Sequence, residues 1–354
     1  MTQFLQLHLL TFYAPSNLNR DDLGRPKTAI VGGSTRLRIS SQSLKRAWRV
    51  SDVFESQLQG HLAKRTQRIG EVIFESLLAL GQSPDSAKKL TRDILPIFGK
   101  PKGEGEKDNP LHTEQLVFIS DEERMAALEL AERLANGEKF DSKKQAGDIL
   151  RQTDAAADLA MFGRMLADNP DYNREAAVQV AHAITTHASA IEDDYYTAVD
   201  DLKTSSEDAG AGFLGEAGFG AGLFYLYLCI NRDLLLQNLA GDEALANKAC
   251  AALTEAAATI APAGKQASFA SRARASFILA ERGSTQPRSL AAAFLKPVNN
   301  TEKGGDMMAA SIDRLIKLRG DLAKAYGDET SSRTMQVPGE GTLSEILEFV
   351  SGVL

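Results

Sequence analysis

The chain has 354 residues, 43% of them apolar and 25% charged, with a formal net charge of −7. That supply of apolar residues makes a folded, soluble protein of one elaborated domain or two the default. No apolar run approaches the roughly 18–20 residues of a membrane span, the N-terminus lacks the charged-then-apolar layout of an export signal, and two cysteines, Cys229 and Cys250, suit a reducing compartment better than a disulfide framework, so a cytoplasmic location is expected.

Residues 3–12 alternate loosely (Phe4, Leu5, Leu7, Leu9, Leu10, Phe12) and lack helix-start signals, which predicts a buried first strand. Residues 15–33 read as a long loop with Gly24, Pro26, Gly32 and Gly33 as its breakers. RLRIS (36–40) alternates as a short strand. Ser40 or Ser41 then caps a helix running through Leu44, Ala47 and Trp48 to about Leu58. Residues 64–186 read as mostly helical, interrupted at Pro84, Pro96 and KPKGEGEKDNP (100–110), with LVFI (116–119) a candidate short strand. The stretch 193–222, rich in Gly and acid, reads as a projecting hairpin with Tyr195, Tyr196 and Val199 on its first limb. AGLFYLYLCIN (221–231) predicts a core strand, Ala-rich 243–261 a helix and 272–281 another strand, with helices closing the chain near 306–326 and 342–353. That order does not suit a doubly wound sheet. It fits an α+β fold, a ferredoxin-like or RRM-like core with two insertions.

Charge is unevenly placed. Residues 1–50 carry eight bases (Arg20, Arg25, Lys27, Arg36, Arg38, Lys45, Arg46, Arg49) against Asp21 and Asp22, a balance of +6 that leaves −13 for the rest. Screening acts over about 8 Å at physiological salt, so such a patch can attract RNA or DNA despite an acidic remainder. RISSQSLKRAWR (38–49) is the most informative segment within it. A helix N-terminus offers unpaired N–H groups and a positive dipole end to a phosphate, and Ser40, Ser41 and Ser43 add hydroxyls. Lys45 and Arg49 share one helix face, Arg46 is turned about 100° away, and Leu44, Ala47 and Trp48 cover the opposite side. The same spacing equally suits an amphipathic helix with ordinary solvated bases.

Other chemistry finds little support. Asp21 and Asp22 could hold Mg²⁺ for phosphodiester cleavage, though adjacent aspartates in a Gly/Pro loop more often form turns. His182 and His187 are five apart, about 140° around a helix, and do not converge on a metal. His8, His61 and His112 lack metal-ligand spacing. Neither GxSxG nor GxxxxGK[ST] occurs. The GxGxxG at Gly210, Gly212 and Gly215 precedes a strand instead of joining strand to helix, so a hairpin tip explains it better than a dinucleotide site.

NLNRDDLGRPKTAIVGGSTRLRISSQSLKRAWR (17–49) resembles the backbone subunit of type I-E CRISPR Cascade complexes (the CasC family, of the RAMP superfamily). So do FGRM (162–165), AHAITTH (181–187), DDYYTAVDDL (193–202), FxxGLFY (219–225), PAGKQ (262–266) and PRSLAAAF (287–294), in the family's order. The resemblance implies a hand: an RRM-like palm (1–58 and 222–354), helical fingers (59–190) and a β-hairpin thumb (191–221). It implies copies packed head-to-tail along the CRISPR RNA, a heterologous interface that does not close, with the protein gripping phosphates while base pairing reads sequence. The partners it implies are CRISPR RNA, target DNA paired to the guide, further copies of the chain, and the large, small and guide-end capping subunits. It implies no cofactor, no metal and no membrane.

In the palm, the resemblance makes Lys45 and Arg49 phosphate ligands, with Asn19, Arg20, Lys27, Arg38, Ser40, Gln42 and Arg46 beside them and Lys265 and Gln266 contributing from PAGKQ. Arg164 and Met165 would act from the fingers, Met165 as a wedge at a kinked nucleotide. Tyr195, Tyr196 and Val199 would pack on that nucleotide from the thumb. The family commonly has Trp and Phe where this chain has the two tyrosines, and ribonucleoprotein-motif aromatics are missing from the palm, so base stacking on the sheet is not expected. The expected function is a non-catalytic RNA-binding scaffold. The alternative is a target-RNA endoribonuclease of the related type III backbone class, using Asp21 or Asp22.

Overall fold

The computed structural model describes residues 2–103, 109–198 and 213–352. The chain opens with β1 (Phe4–Ser16), β2 (Thr28–Val31), β3 (Ser34–Ile39), α1 (Ser41–Arg49) and α2 (Asp52–Gln57). There follow β4 (Lys64–Thr66), α3 (Ile69–Ala79), α4 (Pro84–Ile94), β5 (Val117–Ile119), α5 (Asp121–Ala135), α6 (Ser142–Ile149) and α7 (Ala157–Phe162). Next come β6 (Val178–Val180), β7 (Ala183–Thr185), β8 (Glu192–Ala198), β9 (Phe213–Asn231), α8 (Arg232–Asn238), α9 (Glu243–Thr259) and α10 (Gln266–Phe269). The last elements are β10 (Phe277–Gly283), α11 (Met307–Tyr326), β11 (Ser331–Gln336) and α12 (Leu343–Ser351). This is a mixed α+β architecture, and no helix among the described residues is long and apolar enough to cross a membrane.

The chain divides into two compact units, Met1–Phe54 with Val180–Cys229 and Cys250–Leu354, and Glu55–Gln179 with Ile230–Ala249. The first is built on a sheet of order β11-β10-β1-β9-β7-β3-β2, with β8 also paired to β9. Lying between β10 and β9, β1 has neighbours on both sides, and its residues from Leu5 to Leu10 are all buried. Leu10, Leu223, Tyr225, Phe277, Leu279, Phe294 and Leu315 form one core cluster of this unit. The second unit is a helical cluster in which Ile69, Ile73 and Leu77 (one face of α3) meet Ala127, Leu130 and Leu134 of α5. Beside it β4 and β5 form a two-stranded sheet.

Several local expectations change. The 15–33 loop contains β2, paired with β3 through Val31↔Ser34 across Gly32 and Gly33. Both glycines have positive φ, +58° and +75°, the backbone a two-residue type I′ hairpin requires. The helix expected to run to Leu58 ends at Arg49, and Ser51 then caps a new one by accepting from Phe54 N–H. AHAITTH is not helical: it holds the short strand β7, with Ile184 opposite both Arg38 and Tyr225. The strand expected from 272 begins at Phe277, and the polar edge strand β11 was not expected at all. Gly210 and Gly212 of the expected tip lie outside the described residues; from 213 the glycine-rich stretch is strand, and close neighbours leave no room for side chains at some of its glycines. A Cβ at Gly220 would lie 2.8 Å from Leu37 Cδ1, and one at Gly222 would lie 2.6 Å from Thr185 Cγ2.

Candidate nucleic-acid interface

The N-terminal basic segment is organised by backbone hydrogen bonds around Asn19. Its Oδ1 accepts from Ser40 N–H (2.8 Å) and its carbonyl from Lys27 N–H (2.8 Å), so one residue ties the loop to the start of α1 and to the strand entry. Ser40, in extended conformation, is the N-cap and accepts from Ser43 N–H. These two side chains build the scaffold of the segment. Behind them, Asn17 Nδ2 donates to the carbonyls of Gly24 and Gly218, both at 2.9 Å. Arg25 pairs with Asp193 at 2.8 Å, joining the loop to β8.

On α1, Leu44 and Trp48 are buried, as their i, i+4 spacing requires. Lys45 and Arg49 are half-buried on another face, while Gln42 and Arg46 are exposed. Burial lowers the Lys45 ammonium below its ordinary pKa, the sign expected of a cation partly removed from water. An open cleft of about 620 Å³ brings together Asn19, Arg20, Asp21 and Asp22 from the loop, Ser43 and Arg46 from α1, and Ala263 and Gly264. Gly264 packs directly on the loop: a Cβ there would sit 2.3 Å from the Leu18 carbonyl oxygen. Lys265 follows in left-handed conformation (φ +44°) and Gln266 begins α10. Lys27 and Arg38 line a second, shallow cleft that also includes Asn19.

Two basic residues of the sequence reading serve the fold. Arg36, counted in the basic patch, is fully buried and donates to the carbonyls of Thr185 (3.0 Å) and Phe294 (2.8 Å). Arg164, expected to contact RNA, has a buried guanidinium that pairs with buried Glu123 at 2.5 Å and donates to the carbonyls of Phe118, Arg151 and Tyr172. FGRM thus divides its work. Gly163 caps α7 at φ +74°, Arg164 anchors the following segment, and Met165 projects with 83% of its surface exposed.

Tyr195 and Tyr196 are exposed on β8, and Tyr196 lies opposite Gly215 in register. A Cβ at Gly215 would be 2.4 Å from the Tyr196 ring, so the ring lies over the glycine. Val199 lies outside the described residues. Asp21 Oδ1 accepts from the N–H groups of Leu23 (3.0 Å) and Arg25 (2.9 Å), the geometry of a turn-forming aspartate. Among the described residues, no group of three or more His, Cys, Asp or Glu is placed to hold a metal ion. Sequence reading missed His182, whose Nδ1 is 3.0 Å from the Arg38 guanidinium. The two histidines flank the strand β7, so no helical angle relates His182 to His187.

The model of a family described as CT1975-like protein matches residues 5–348. A chain of a structure described as a CRISPR RNA-guided surveillance complex, pre-nicking, superposes with a TM-score of 0.86 at 28% identity, covering 98% of this chain and 99% of that one. A chain of a second CRISPR RNA-guided surveillance complex gives 0.72 at 26% identity, with 96% and 94% covered. No curated protein matches.

Proposed function

This chain belongs to the CT1975-like protein family, and on that premise we propose that it is a non-catalytic scaffold which binds CRISPR RNA and polymerises along the guide spacer. The observation that carries this reading is likeness over nearly the whole length to a chain of a CRISPR RNA-guided surveillance complex. The finer reading is a type I-E Cascade backbone subunit acting in the cytoplasm, with an RRM-like palm, fingers and thumb at the boundaries given above. Its partners are CRISPR RNA, the target DNA it pairs with, other copies head-to-tail and the remaining Cascade subunits. The capped start of α1, with Lys45 and Arg49 on one face and Arg20 and Arg46 on the adjoining cleft, supports a sequence-independent grip on phosphates. Met165, Tyr195 and Tyr196 support the wedge role by combining apolar surface with exposure.

The test is salt-dependent binding of single-stranded RNA. Lys45→Ala with Arg49→Ala weakens binding whatever the base sequence and lowers the slope of log K against log salt by about 0.7 per lost phosphate contact. An unchanged slope refutes the assignment. For the non-catalytic half, protein assembled on guide RNA is given complementary target RNA and Mg²⁺ and run on a denaturing gel. Cleavage that Asp21→Ala or Asp22→Ala abolishes overturns it. The turn-forming bonds of Asp21 support the expectation of intact RNA.

A further inference from the structure

His182 stands at the start of β7 with an exposed imidazole, and Arg38 of β3 reaches it, Nη1 to Nδ1 at 3.0 Å. A guanidinium has no acceptor, so Nδ1 accepts, and the neutral ring carries its proton on Nε2. That leaves an Nε2–H donor on the ring edge away from the Arg38 contact. Lys27 is held next to Arg38 by the bond from Arg38 N–H to the Lys27 carbonyl (2.8 Å), and both line the shallow cleft with Asn19. Arg38 is itself fixed by donating from Nε to the Thr28 carbonyl.

Protonating His182 converts Nδ1 to a donor. The bond from Arg38 is then lost, and a second cation stands beside the guanidinium. Burial, then Arg38, then Lys27 hold the imidazole pKa below its ordinary value for this reason. An anion between the groups reverses the balance, since the two non-bridging oxygens of a phosphodiester can accept from a guanidinium, an ammonium and an imidazolium together. On β9, Tyr227 accepts from Ala181 N–H through its carbonyl, and its phenol donates to Gln6. His187, further along the segment, has both ring nitrogens engaged, with the Ala188 carbonyl and with Leu223 N–H.

We propose that Lys27, Arg38 and His182 form one phosphodiester site that takes up a proton at His182 as it binds, so that RNA affinity rises as pH falls. This rests on the RNA-binding reading above and adds to it a residue and a pH response. The site is sequence-independent, because nothing in it reads a base edge.

The experiment titrates the full chain with guide-length single-stranded RNA at constant ionic strength at pH 6 and pH 8, and by calorimetry in buffers of different ionisation enthalpy. The wild type is expected to bind several-fold tighter at pH 6 than at pH 8, a gain that approaches tenfold for each unit by which binding raises the imidazole pKa only below the pKa of the free protein, with net proton uptake. His182→Gln keeps an acceptor for Arg38 at an exposed position. It is expected to retain binding at pH 8 and to lose the gain at pH 6 together with the proton uptake. RNA binding without pH dependence in the wild type, or with the same dependence in His182→Gln, overturns this inference and leaves the RNA-binding reading standing. No RNA binding at any pH overturns both.

Discussion

Arg164 and Arg46 are both arginines that the sequence offers as RNA contacts, but their surroundings in space assign them different work. Arg46 is exposed on the cleft, whereas Arg164 is buried with its charge matched by Glu123. Removing one member of a buried pair strands the other, at a cost of about 3–5 kcal/mol. Arg164→Ala is therefore expected to lower the urea midpoint sharply while the folded fraction keeps the wild-type salt slope for RNA; an unchanged midpoint would contradict the burial argument. Trp48 makes a parallel case, since it is fully buried on the face of α1 opposite the proposed grip. Trp48→Ala should cost about 3–5 kcal/mol through the cavity it leaves, measurable by denaturant unfolding. Lys45→Ala should cost far less stability and more affinity.

At the level of elements, glycines set the approach of one segment to another. The Gly32–Gly33 turn makes β2 and β3 a hairpin that carries Arg38 beside Lys27. Gly264 lets the 261–266 loop rest on the backbone of Asn17 and Leu18, which closes one wall of the cleft. Gly264→Ala places a methyl 2.3 Å from the Leu18 carbonyl oxygen, so the loop must move. The expected result is a several-fold loss of RNA affinity with an unchanged salt slope, because geometry changes while every charge remains. A fall in slope equal to that of the Lys45 and Arg49 variant would sink this account. Gly215 does comparable work on β9 by giving the Tyr196 ring a place to lie.

Across the sheet-bearing unit a buried polar chain links distant segments. Leu290 N–H donates to the Tyr225 hydroxyl, which meets His8 Nδ1 at 2.9 Å, and His8 Nε2 meets Glu281 at 3.2 Å. Glu281 also accepts from Arg288 and Arg319, both at 2.7 Å. The carboxylate requires Nε2 to be the protonated nitrogen, which leaves Nδ1 to accept from Tyr225. Burial holds the His8 pKa below its ordinary value, although its bond to Glu281 opposes this. Burial alone would raise Glu281, but hydrogen bonds from His8, Arg288 and Arg319 outweigh it and depress the carboxyl. Both shifts have the same consequence. An unfolded chain binds a proton at His8 below about pH 6.5 and at Glu281 below about pH 4.5, where the folded chain still resists, so stability is lost as pH falls. Denaturation series at pH 7.5, 6, 4.5 and 3 should show one loss that begins near pH 6.5 and a further one below pH 4.5, and His8→Gln should flatten the first. A stability that rises between pH 7.5 and 6 would contradict a His8 kept neutral by burial.

Much of this was legible in sequence wherever local periodicity governs. The first strand, the inward Leu44 and Trp48, the core strand through Tyr225 and the capped helix after Asp306 each follow from side-chain spacing that the backbone converts directly into a face or an end. Gly32 and Gly33 mark a break in the sequence, but the four-residue strand β2 before them is too short to stand out by alternation. Other features carry no local mark. The strand β11, SSRTMQ, has almost no apolar alternation and exists because β10 offers it an open edge. Likewise, nothing near Arg36 announces that its guanidinium will meet the Phe294 carbonyl 258 residues away, or near Arg164 that Glu123 will face it. Sequence alone determined that the first fifty residues hold a concentrated basic segment beginning a capped amphipathic helix. Tertiary structure decided which of those bases reach solvent, because a cation is kept inside only where partners from distant segments replace its water.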